Sequence, residues 1–116
     1  MANIAVRSVN PFTHRDLCDT LTGEGHTIVY DQITDLKEDP KKVVDGILER
    51  SPDAIVIDGA LGQRSLLEEY ATRTGSPPLV ALTRVSNANL KRFAPHLLEG
   101  ETERGRLGVY LTDLLK

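Results

Sequence analysis

Asp58 has the setting that most suggests chemistry. It closes the run Ala54-Ile55-Val56-Ile57-Asp58-Gly59, and a carboxylate at such a point can serve as nucleophile, cation ligand or cap of the next turn. A carboxylate becomes a site only with partners. The ends of the other apolar runs supply Ser8, Val9 and Asn10, then Thr83 and Arg84, and also Tyr110 to Asp113 if that segment closes a further strand. Arg84, at the mouth of such a pocket, either pairs with Asp58 or stays in solvent. Nothing brings His14, His26 and His96 together at metal-ligand spacing, so no metal centre is expected, and His14 reads as a surface residue in the first turn of a helix. Cys18, beside Leu17 and Leu21, reads as a buried structural thiol. The glycines at 23 and 25 end a helix instead of opening one, which is the wrong geometry for a dinucleotide loop.

Positioning these residues requires an alternating chain. Four consecutive aliphatics between Pro52-Asp53 and Asp58-Gly59 predict a central strand buried on both faces, the signature of a parallel sheet. Residues 4–9 predict a first strand ended by Asn10-Pro11. Thr13, with Asp16 three positions on, predicts the cap of the first helix. Residues 26–30 predict a second strand, and 31–38 a loop over the sheet edge. Asp39-Pro40 predicts a capped helix carrying Val43, Val44, Ile47 and Leu48. A helix over 64–74 and a fourth strand over 79–83 complete an order of β-α-β-α-β-α-β. Connections of this length imply right-handed crossovers and an open parallel sheet of four or five strands with helices on both faces.

The rest of the chain is less regular. Ser86 or Asn87 can cap a helix carrying Leu90, Phe93 and Leu97, which Pro95 kinks or shortens, and residues 99–106 predict an exposed loop. Residues 107–115 fit either a fifth strand over 108–112 or a helix showing Leu107, Tyr110, Leu111, Leu114 and Leu115 on one face.

The sequence of 116 residues makes one domain, long enough to bury roughly 65% of its unfolded surface. A net charge of -3 gives no electrostatic ground for nucleic acid as partner. No apolar run approaches the ~18 residues of a membrane span. With no charged-then-apolar leader at the start, a cytoplasmic protein is expected.

In order and register, several segments resemble the receiver domains of two-component response regulators. Residues 21–29 look like the family's first helix end and second strand, and residues 51–58 like its third strand, with Asp58 at the phospho-acceptor position. Leu61 fits the apolar residue three beyond that aspartate, although Gly62 stands where proline is usual. Residues 78–83 resemble the fourth strand with Thr83 as its switch hydroxyl, and Tyr110 fits the aromatic switch if 108–112 is the fifth strand. The resemblance implies a flavodoxin-like (CheY-like) fold.

It also implies a Mg²⁺ site in which carboxylates after the first strand join Asp58, and a lysine after the fifth strand that neutralises the phosphoryl group, and here the chain departs. Ser8, Val9 and Asn10 provide no carboxylate, and Asp113 falls at the lysine position. Hard cations need several oxygen ligands, and phosphoryl transfer needs its negative charge cancelled. The expectation is therefore a degenerate receiver that is not an enzyme and holds no cofactor. It would work as a protein-interaction or homodimerisation module through residues 90–98 and 107–115, with no nucleic acid or membrane partner. Two alternatives stand beside it. One is a working receiver phosphorylated on Asp58, with Mg²⁺ held weakly by Asn10 and backbone carbonyls. The other is a small-ligand or cofactor binder, since the first half vaguely resembles cobalamin-binding domains but lacks their Asp-x-His-x-x-Gly signature around His14.

Overall fold

The computed structural model describes residues 2–33, 38–73, 75–84 and 90–115. Five parallel strands, β1 (Asn3–Ser8), β2 (Thr27–Ile33), β3 (Ala54–Asp58), β4 (Leu79–Thr83) and β5 (His96–Glu99), form one sheet in the order β2-β1-β3-β4-β5. This is the flavodoxin-like α/β architecture, and its strand order reverses between β1 and β3. The three inner strands are buried throughout apart from the first residue of β1, and each is aliphatic until it closes on polar residues.

Helices cover both faces. Helices α2 (Pro40–Glu49) and α3 (Arg64–Ala71) place Val44, Ile47, Leu66, Leu67 and Tyr70 against Ala5, Ile55, Ile57 and Ala81. On the other face, α1 (Pro11–Gly23) and α5 (Leu107–Leu114) set Leu21, Leu107 and Leu111 against Ile4, Val6, Val56 and Leu82. Alternation along each strand divides the aliphatics between the two cores. In β1 that alternation sends Arg7 to the α2/α3 side and Ser8 to the α1 side.

Four sequence expectations change. The cap of α1 is Asn10, not Thr13: its Oδ1 accepts from the Phe12 N–H at 2.9 Å and the Thr13 N–H at 3.4 Å. Pro11 lacks an N–H and has a φ suited to the first helical position, so the helix starts a turn earlier. Strand β2 runs to Ile33, which moves Asp31 from the expected loop into the sheet. The fifth strand is His96–Glu99, paired with β4 from Val80↔His96 to Thr83↔Glu99, where a helix was expected. Pro95 stops helical propagation, leaving one 3₁₀ turn at Leu90–Arg92 before the chain extends. Residues 107–114 are then free to be the covering helix, and a short helix α4 (Gly100–Arg104) takes up part of the expected loop. The expected caps Ser86 and Asn87 lie outside the described residues.

Candidate functional site at the strand-order reversal

The strand order reverses between β1 and β3, and the usual ligand position in this architecture lies just outside the carboxyl ends of those two strands. Asp58 closes β3 and is 5% exposed. Its Oδ1 accepts from the Gly59 N–H at 2.9 Å, and its carbonyl accepts from Gln63 Nε2 at 2.6 Å. Gly59 has φ +70° and turns the chain into a 3₁₀ segment, Ala60–Gln63. A Cβ at Gly59 would stand 2.4 Å from Val9 Cγ2, so the turn after β1 sits directly on the turn after β3.

Beneath this turn lies a charge that the sequence reading passed over. Arg7 is 3% exposed. Its Nε donates to Gln63 Oε1 at 3.3 Å, its Nη1 to the Tyr30 hydroxyl at 3.0 Å and its Nη2 to Glu38 Oε2 at 2.5 Å. A buried guanidinium persists only when its donors are used in this way. Gln63 thus ties the Asp58 turn to β1 and, through Arg7, to Tyr30 on β2. The signal was present in the sequence: an arginine that continues an apolar run buried on both faces demands partners.

On the other side of β1, Ser8 and His14 are both buried. His14 Nδ1 lies 2.9 Å from Ser8 Oγ, and His14 Nε2 is in hydrogen-bond contact with Asp31 Oδ1. Cys18 Sγ, one helical turn on, is 3.7 Å from the same Nε2. The expectation of a surface histidine is therefore overturned: Asn10 starts α1 early enough that position 14 points inward onto β1. Serine, histidine and aspartate lie in series, but Ser8 is fully buried and offers no nucleophile to a substrate. Burial, with the Asp31 and Asp19 carboxylates nearby, pushes the Cys18 thiol up to about 11.

The remaining candidates separate. Thr83 is buried at the end of β4, one residue beyond the Asp58↔Leu82 pair, and therefore stays with the Asp58 group. Arg84 is exposed and lines an open cleft of about 460 Å³ with Glu99, Gly100 and Glu103. Asn10 caps α1 at the same rim. Tyr110 and Asp113 do not belong there, because residues 107–114 form a helix and not the fifth strand. The Tyr110 hydroxyl instead meets His96 Nδ1 at 2.8 Å, and His96 opens β5, at the amino end of the strands whereas Asp58 stands at the carboxyl end. The residue that closes β5 beside Thr83 is Glu99, whose Oε1 lies 3.6 Å from Lys91 Nζ.

The apolar residues that suggested a C-terminal contact face are largely core: Leu90, Ala94, Leu97, Leu98, Leu107 and Leu111 are all buried. The exposed large apolar side chains include Val109 on α5 and, at the carboxyl rim of β1 and β2, Val9, Ile33 and Phe12, the last 83% exposed.

No protein-family profile and no curated protein sequence matches the chain. Among solved structures, a fusion carrying a trimeric coiled-coil segment of yeast Spc42 superposes with a TM-score of 0.58 at 16% identity, covering 97% of this chain and 77% of that one. At that identity the likeness is one of fold alone. Fold and rim together define a flavodoxin-like α/β domain with a buried aspartate at its strand-order reversal. No helix of the described residues is long and apolar enough to cross a membrane.

Proposed function

We propose that this chain is a pseudo-receiver, a domain on the receiver plan that acts by binding a protein partner or a second copy, without Mg²⁺-dependent phosphorylation of Asp58. The observation that carries the proposal is the set of side chains closing the strands around Asp58. β1 runs out into Ser8, Val9 and Asn10, none able to join Asp58 as an anionic ligand, and β5 closes on the carboxylate of Glu99. A hard cation is poorly held by one carboxylate, and the strand end where phosphoryl transfer would need a cation carries the carboxylate of Glu99. The burial of Asp58 and the cover that Val9 gives Gly59 argue in the same direction, since both restrict approach. The exposed Val9, Phe12 and Ile33 at that rim favour contact with a protein surface.

Incubation with acetyl phosphate and Mg²⁺, followed by intact-mass measurement, tests the proposal. The expected result is an unmodified chain and no Mg²⁺ heat by calorimetry near physiological concentration. Ready labelling that disappears in Asp58→Asn establishes a working receiver instead. Sedimentation of the wild type against Phe12→Asp then assigns the partner: self-association lost in the variant identifies a second copy, and a monomer in both points to a different protein.

A further inference from the structure

The polar group on the α1 side of β1 has a composition unlike that of the Asp58 rim. His14 and Cys18 stand four residues apart on one face of α1, and Asp31 faces them from β2. Their ligand atoms all lie within 4.8 Å of one another. We propose that His14 Nε2, Cys18 Sγ and a carboxylate oxygen of Asp31 bind Zn²⁺, with a fourth position open to water, and so pin α1 to strand β2.

The geometry suits zinc. Tetrahedral bonds of about 2.0–2.1 Å to nitrogen or oxygen and about 2.3 Å to sulfur set the N···S edge near 3.6 Å and the N···O edge near 3.3 Å. Cys18 Sγ already stands 3.7 Å from His14 Nε2. The Asp31 oxygen has only to swing outward from its hydrogen-bond contact, which is open to it because that side chain is 59% exposed. His14 is held ready from behind. Its Nδ1 lies 2.9 Å from the hydroxyl of Ser8, which can donate to the ring or accept from it. The ring proton therefore moves from Nε2 to Nδ1 without any rearrangement of the side chains, and such an outer partner is what orients most metal-binding imidazoles.

When the Zn–S bond forms, the thiol proton leaves to solvent. The Nε2 lone pair and the carboxylate oxygen complete the protein's share. A thiol, an imidazole and one carboxylate exclude Mg²⁺ and Ca²⁺, which take oxygen ligands. The site shares only Ser8 with the rim around Asp58, and it stands or falls separately from the proposed function.

The test uses the tag-free chain titrated with Co²⁺ and then Zn²⁺. One equivalent of Co²⁺ should give visible tetrahedral bands and a near-ultraviolet thiolate charge-transfer band, and one equivalent of Zn²⁺ should abolish both. Cys18→Ala should lose the charge-transfer band. Asp31→Asn, at an exposed position where folding is not at stake, should weaken binding at least ~10-fold, because even outer-shell partners are worth that much. Asp16→Asn, an exposed carboxylate on the same helix outside the cluster, should bind as the wild type does. Absence of saturable Co²⁺ absorption in the wild type overturns the proposal. So does binding that survives both Cys18→Ala and Asp31→Asn unchanged.

Discussion

Gly59→Ala should destabilise the domain for two separable reasons, and a four-protein cycle can separate them. At φ +70° any side chain carries the left-handed penalty, about 1–2 kcal/mol for a residue with a Cβ. The new methyl also meets Val9, at 2.4 Å from Cγ2, 3.2 Å from Cγ1 and 3.3 Å from Cβ. Val9 is half-exposed and has room to rotate, so displacing it costs about 1 kcal/mol, the low end for overpacking. Gly59→Ala should thus cost about 2–3 kcal/mol in the wild type and about 1–2 kcal/mol in a Val9→Ala background, a coupling near 1 kcal/mol. Urea titration of the wild type, both single variants and the double variant gives all four free energies. An equal cost in the two backgrounds would refute the claim that Val9 closes over the Asp58 turn. A cost under about 0.5 kcal/mol in both would refute the left-handed assignment as well.

Two further outcomes follow from the buried polar groups. Arg7→Met keeps the stem volume but strands Gln63, Tyr30 and Glu38, and should cost about 3 kcal/mol in urea denaturation; the partial exposure of Glu38 keeps it at the lower end for a broken buried pair. A loss under about 1 kcal/mol would mean that the network contributes little. Burial pushes the Tyr70 phenol from 10.0 up to about 12 and the Cys18 thiol from 9.0 up to about 11. In both cases the folded state favours the protonated form, so this stability is complete below the unfolded pKa and is lost as pH rises through the folded one. The urea midpoint should therefore fall between pH 9 and 12. Cys18→Ala should flatten the part from 9 to 11, and Tyr70→Phe the part from 10 to 12, although the latter also loses the hydrogen bond that the phenol donates to the Pro77 carbonyl.

The inner strands were readable because their burial on both faces leaves continuous aliphatic runs, as in Ala54–Asp58 and Leu79–Thr83. Strand β5 was not. It is a four-residue edge strand with only Leu97 and Leu98 buried, and those two leucines serve a helical spacing as well as a pleat. The alternative of a fifth strand over 108–112 would have carried Tyr110 and Asp113 to the carboxyl rim, where the structure has Glu99 instead. Asp58 and Thr83 were legible because strand ends are marked by a change from aliphatic to polar. The His14 group was not, because Asp31 lies 17 positions away and became its neighbour only through an extension of β2 that no local pattern announced. Arg7 was missed for a different reason, since its partners come from three separate parts of the chain: strand β2, the approach to α2 and the turn after β3.

That dispersal bears on how the domain assembles. The guanidinium is satisfied only once the second strand, the approach to the second helix and the turn after the third strand have all arrived. Any partly built intermediate that buries it early carries a charge without an answer. Tyr30, Glu38 and Gln63 are therefore bound to a common fate, and the front half of the molecule should open and close as one cooperative unit rather than fray piece by piece.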